Sequence, residues 1–177
     1  MNLRRIACKL RDADGAEIAE AAMVLPLVFM LLLGIVWFGR AFNIYSTITQ
    51  AAQQGAITAA RETCATCGNG VASDATVTGV VESVMKASNL DTTQIRVSPN
   101  PAAPVFCANP PNTCNTAVDG VKVCHNVLLN PPAGGAQPPQ CGTVVSFQYP
   151  FSFYLPFTSL NLRSVVMSAQ AQSRMEN

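Results

Sequence analysis

Three groups of residues in this sequence could do chemistry: a glycine with a glutamate five positions after it, a set of cysteines, and a single histidine. The first group is the run Gly15-Ala16-Glu17-Ile18-Ala19-Glu20, at the junction between a basic leader and a long apolar stretch. Gly15 stands at that junction, and Ala16 follows it. Glu20 stands where the apolar stretch begins. A carboxylate in a bilayer costs about 2.5–3.5 kcal/mol at the centre and less near the edge, so an ionisable group there reads as functional. The bland reading is that Glu20 snorkels to the interface, and Glu17 reads as a solvated or headgroup-level residue.

The cysteines number seven: Cys8 before the apolar stretch, and Cys64, Cys67, Cys107, Cys114, Cys124 and Cys141 after it. Cys64-x-x-Cys67 has the spacing of a thiol redox pair, and with Cys124 and His125 it could be half of a zinc site. It lies at the end of a helical pattern and is followed by Gly68, not at a helix N-terminus after a strand, so thiolate activation is missing. A structural disulfide is the favoured reading. His125 is the only histidine, with no second one for a metal site and no Ser/His/Asp spacing of note. No catalytic residue, no metal site and no cofactor are assigned.

These residues need elements to hold them. Ala21–Phe38 is apolar and uncharged for 18 residues. Extended back to Ala16, it is long enough to cross a hydrocarbon core of roughly 30 Å. Arg4, Arg5, Lys9 and Arg11 precede it, which predicts an N-terminus inside the cell and the rest of the chain outside. Trp37 and Tyr45 fall near the outer boundary, where amphipathic rings settle. The apolar run exceeds that of a secretory signal, and no small-x-small site follows it. On this topology Cys8 stays on the reducing side, and an even set of cysteines reaches the oxidising side.

Charged residues make up only 12% of the chain against 49% hydrophobic, and the net charge is +1. Without a basic stripe, nucleic-acid binding is not expected. The helical pattern continues past the span: Phe42, Tyr45, Ile48, Thr49, Ala52, Ala56 and Ala59 recur at three- and four-residue steps. One helix from about Glu17 to about Thr63 is predicted, roughly 70 Å long, with Pro26 inside its membrane half. A second helix is predicted over Ser73–Ser88, with Ser73 as N-cap and Val77, Val80, Val81, Val84 and Met85 on its apolar face. Thr93–Ser98, Val121–Leu128, Thr143–Tyr149 and Leu162–Gln172 read as strands. Residues 99–141 hold nine of the twelve prolines and four cysteines, and form a Cys/Pro-rich insert. The aromatics Phe147, Tyr149, Phe151, Phe153, Tyr154 and Phe157 read as core rather than as an adhesive surface.

Residues 14–63 resemble the TadE-like proteins of the tight-adherence (Tad/Flp) pilus system. The resemblance is carried by AEAAMVLPL, by Gly39-Arg40 after the span, and by AAQQGAITAAR. The closing segments VVSFQYPFSFYLPF and LRSVVMSAQAQSRME are similar to that family's last strands, whereas 99–141 has no counterpart. The resemblance implies a minor pilin or pseudopilin, cut after Gly15 by a prepilin peptidase and working with other pilin subunits and the Tad secretion machinery. It implies that the new ammonium of Ala16 pairs with Glu20 of a neighbouring subunit and fixes axial register. The expected fold class is α+β: a long N-terminal transmembrane helix continuing into a pilin-like domain with a small antiparallel sheet and a second helix. The expected segments are a cytoplasmic leader at 1–15, a transmembrane helix in the cytoplasmic membrane at 16–40, and an extracytoplasmic domain at 41–177. Two other classes remain open: an uncleaved anchored binding module, and a tethered thiol oxidoreductase using Cys64 and Cys67. The exported cysteines are expected to form three intrachain disulfides. Cheap loop closure favours Cys64–Cys67, Cys107–Cys114 and Cys124–Cys141, although spacing alone does not choose the connectivity.

Overall fold

A computed structural model of the chain describes residues 3–61, 70–98, 104–108, 112–115, 119–130, 138–152 and 164–175. The chain is α+β, with two compact units, Met1–Ala41 and Phe42–Asn177.

The first element is helix α1, Leu3–Ala60. It begins well before Glu17, because Leu, Ala, Arg and Lys of the leader are good helix formers and only Gly15 interrupts them, at a cost of about 1 kcal/mol. In the first unit the apolar side chains face outward: Met23 is 81% exposed and Leu27 70%. In the second unit one face of α1 is buried, formed by Ile44, Thr47, Ile48, Ala51, Ala52, Ala56, Ala59 and Ala60. Phe42 and Tyr45, expected on that face, are exposed instead. The buried stripe is one of small residues, which lets neighbouring backbones approach. At Gly55 an added Cβ would come within 2.8 Å of Val81 Cγ2 and 3.5 Å of Val145 Cγ1.

Helix α2 spans Asp74–Ala87, and Ser73 caps it by accepting from the Thr76 N–H at 3.3 Å. Asp74 in the first turn and Lys86 in the last complement the helix dipole. Val77, Thr78, Val81 and Met85 are buried, at the spacing of one helical face. The predicted strand at Thr93–Ser98 is not formed as such. Asp91 accepts from the Thr93 N–H and hydroxyl and nucleates a 3-10 turn, Thr92–Gln94. Only Arg96 then pairs, exchanging two 2.8 Å backbone bonds with Gln148.

The sheet has the order β1-β2-β3, all antiparallel: β1 Lys122–Leu128, β2 Cys141–Phe151 and β3 Val165–Arg174. These are three of the predicted strands: β1 starts one residue later than predicted, β2 runs two residues further at each end, and β3 ends two residues later. Alternation along β2 gives the sheet two different faces. Val145 lies against α1 and α2, so Phe147, Tyr149 and Phe151, all buried, share the helix side. Val144 on the other side joins Cys124 and Val127 in an apolar cluster, covered by Phe106, Cys114 and Leu129. The expectation that the aromatics are core therefore holds for Phe147, Tyr149 and Phe151. Phe153, Tyr154 and Phe157 lie outside the described residues.

The insert closes the outer edge of β1. Cys107 N–H donates to Asn126 O, Leu128 N–H to Val105 O, Asn115 N–H to Val123 O and His125 N–H to Thr113 O, all between 2.7 and 2.9 Å. Its disulfides are Cys107–Cys141 and Cys114–Cys124, with Cα separations of 6.1 and 4.0 Å. The expected Cys107–Cys114 and Cys124–Cys141 pairs are overturned. Loop closure distinguishes such alternatives weakly, since doubling a loop costs only about 0.6 kcal/mol. Strand pairing decides instead: Cys114 sits directly opposite Cys124, and Cys107 is bonded beside the bulge that carries β1 toward Cys141. At that bulge Asn126 adopts φ +58, a conformation asparagine tolerates. Cys64 and Cys67 lie outside the described residues.

Candidate functional site

The candidate processing junction lies inside α1. Gly15 is exposed, and a Cβ built on it meets nothing within 4 Å. Glycine weakens a helix locally, by about 1 kcal/mol relative to alanine. Ala16 and Glu20 are four residues apart on α1, which places them on one helix face a single turn apart. Glu17 and Glu20 are both exposed, and neither makes an ion pair among the described residues.

Beyond Glu20 the helix is uncharged until Arg40. The segment Glu17–Ala60 is long and apolar enough to cross a membrane, with a mean hydropathy of 2.6 in its most apolar window. It is the one such helix among the described residues, and it makes the chain a candidate single-pass membrane protein. Arg40 lies 5.8 Å from the Trp37 ring centroid, a cation–π distance. The stacked pair combines an amphipathic ring and a cation where the uncharged run ends, the composition of a membrane-water interface.

Away from α1, His125 is buried on β1, and its Nε2 lies 3.1 Å from Asp74 Oδ1. That link fastens the start of α2 to the sheet, a structural role consistent with the reading of a lone strand histidine. The partner, Asp74, was not legible from sequence: it precedes His125 by 51 residues, and no spacing relates the two. Among the described residues no group of three or more His, Cys, Asp or Glu side chains could hold a metal ion. Four of the six cysteines that follow the apolar run, Cys107, Cys114, Cys124 and Cys141, are taken up in disulfides.

Residues 15–56 match the family model described as TadE-like protein. The match starts at the candidate processing glycine, includes Glu20, and ends within the buried small-residue stripe of α1. The expected resemblance to that family is thus found over this segment. No curated protein and no solved structure matches the chain.

Proposed function

We propose that this chain is a minor pilin or pseudopilin of a Tad-type pilus system, anchored by the apolar half of α1 and acting in pilus assembly or adhesion. The observation that supports it best is the TadE-like match over residues 15–56, which covers the junction, the span and the start of the packed helix. In this reading a prepilin peptidase cuts between Gly15 and Ala16 and removes the leader with Cys8. The domain beyond the span stands outside the cytoplasmic membrane. Its partners are that peptidase, other pilin or pseudopilin subunits, the Tad secretion machinery and the lipid bilayer. No step of this role asks the chain to be an enzyme.

Glu20 is the residue we assign to assembly. Two buried-edge charges, the ammonium of Ala16 on one subunit and the Glu20 carboxylate of another, each cost desolvation alone and neutralise each other when paired. The pairing distance along the helix sets the axial offset between subunits.

The test is the mature N-terminus of membrane-extracted protein, read by mass spectrometry in a host that carries the peptidase. A chain starting at Ala16 is expected. An intact leader would reject the prepilin reading and favour an uncleaved anchored module. Gly15→Val should block processing by placing a branched side chain at the cut site. Glu20→Ala should be cleaved and inserted normally, because it removes a charge from the membrane edge, yet lose pili. Normal pilus number and adhesion in that variant would reject the register role.

A further inference from the structure

The sheet treats its two edges differently. The β1 edge is covered by the insert, whose backbone bonds to it at Val105, Cys107, Thr113 and Asn115. At the β3 edge no backbone group among the described residues bonds Val165–Arg174 from outside the sheet.

The ladder shows which groups of β3 point outward. Gln148 exchanges both its backbone bonds with Arg96, so the Gln148↔Ser168 pair is of the non-hydrogen-bonded kind. By alternation Phe147↔Ala169 is hydrogen-bonded, and so are the odd-numbered pairs on either side. Pro150, which has no N–H, falls on the non-bonded parity, as it must. Val166, Ser168, Gln170, Gln172 and Arg174 therefore direct both N–H and C=O away from β2. All five are exposed. Natural sheets guard such edges with charges, prolines or bulges. Val165–Ser173 contains no charge and no proline, and its register with β2 runs unbroken from Gly142↔Arg174 to Phe151↔Val165.

We infer that β3 is an interaction edge that takes the β3 strand of a second copy of this chain, antiparallel about a twofold axis at Gln170. The strand is self-complementary in that arrangement. Outward-bonding residues are all even-numbered, and the axis sets even against even: Gln170 opposite Gln170, Ser168 opposite Gln172, Val166 opposite Arg174. The polar side exchanges amide and hydroxyl hydrogen bonds across the pair. On the helix side Ala169 meets Ala171, and Met167 meets Ser173, with no bulk to clash. The only charge in the strand, Arg174, lies at its end, so the twofold axis holds the two guanidiniums at opposite ends. Parallel pairing would stack them. An isologous contact of this kind closes on itself, so the β3 edge joins two copies and no more.

The test uses the full chain in detergent micelles. Gln170→Cys treated with a short bifunctional thiol reagent is expected to give a crosslinked dimer absent from the wild type, whose own cysteines set the background. Val166→Cys should give none, because the axis separates the two copies of that residue by most of the strand. Gln170→Pro removes an N–H that points away from β2, so Cys107–Cys141 and Cys114–Cys124 should still form. Its mass by light scattering should fall from dimer to monomer. A monomeric wild type, equal crosslinking at Val166 and Gln170, or a Gln170→Pro chain that stays dimeric would each overturn the inference. If the proline variant fails to form its disulfides, the crosslinking pair decides alone. A β3 edge occupied by a different protein's strand would appear as a crosslink of unequal mass and would also overturn it.

Discussion

The two halves of α1 are both rich in apolar residues, yet they meet opposite surroundings. Along Met23–Phe38 the side chains are large, Leu, Met, Phe, Val and Ile, and most are exposed. Along Ile44–Ala60 the buried face is mostly Ala and Gly with two isoleucines. Apolar character therefore says that a surface must be covered, whereas side-chain size says by what. Lipid tails fill any gap, so large side chains suit a bilayer. A sheet and a second helix have fixed shapes, so close approach demands small residues, as Gly55 against Val81 and Val145 illustrates.

The largest effect should come from removing a core side chain that the packed half needs. Phe147 is fully buried at 0% exposure, so Phe147→Ala should cost about 3–5 kcal/mol of domain stability. Phe38, 80% exposed, is the counterpart: Phe38→Ala should leave domain unfolding unchanged. Denaturant midpoints of the solubilised chains compare the two, and equal losses would erase the distinction between the halves.

Next in size are the covalent staples of the insert. Replacing Cys114 and Cys124 together by serine should cost about 2–4 kcal/mol. Its signature is local: backbone amides of β1 facing the insert, such as His125, should lose hydrogen-exchange protection before those of β2. Unchanged protection at His125 would show that the insert is held without the bridge.

A smaller effect uses one substitution at two places. Gly55→Ala puts a Cβ within 2.8 Å of a buried valine and should cost about 1–3 kcal/mol. Gly34→Ala meets nothing within 4 Å and replaces a poor helix former, so it should cost nothing. Matching thermal shifts for the two variants would contradict the close packing of α1 in the second unit.

The smallest effect is electrostatic. Hydrogen bonds from the Thr93 hydroxyl and N–H, and from Gln94, hold the exposed Asp91 carboxyl below its ordinary range. A depressed carboxylate contributes stability that is fully present above its unfolded pKa, about 3.9, and that is lost as pH falls through the lowered folded value. The stability difference between wild type and Asp91→Asn should therefore narrow on acidification into that range. A difference that stays constant down to the acid limb would assign the effect to geometry alone.

Much of this was legible in the sequence because it depends on neighbours along the chain. The span from Ala21 to Phe38, the N-cap at Ser73, the face Val77-Val81-Met85 and the alternation of Val145, Phe147 and Tyr149 are all local patterns, with periods set by helix and strand geometry. The reading of Gly15-Ala16 with Glu20 as a junction comes instead from the TadE-like resemblance over residues 15–56. The misreadings share a cause. Phe42 and Tyr45 fit the helical period as well as Ile44 and Ile48 do, and which stripe is buried depends on where α2 and β2 sit. Thr93–Ser98 has strand-like composition, but Asp91 offered its backbone a turn, and of this segment Arg96 bridges to β2.

What the sequence by itself determined is most of the elements and an apolar run long enough for an anchor, because short-range periodicity, helix propensity and capping fix these. What only the tertiary structure decided is every relation between distant residues. The Cys107–Cys141 and Cys114–Cys124 pairs, the His125–Asp74 link and the covering of the β1 edge by the insert all follow from strand order and register. Loop-closure entropy differs too little between alternative pairings to reveal them from spacing. Burial of β2 between the helices on one face and the insert on the other selects one pairing among many.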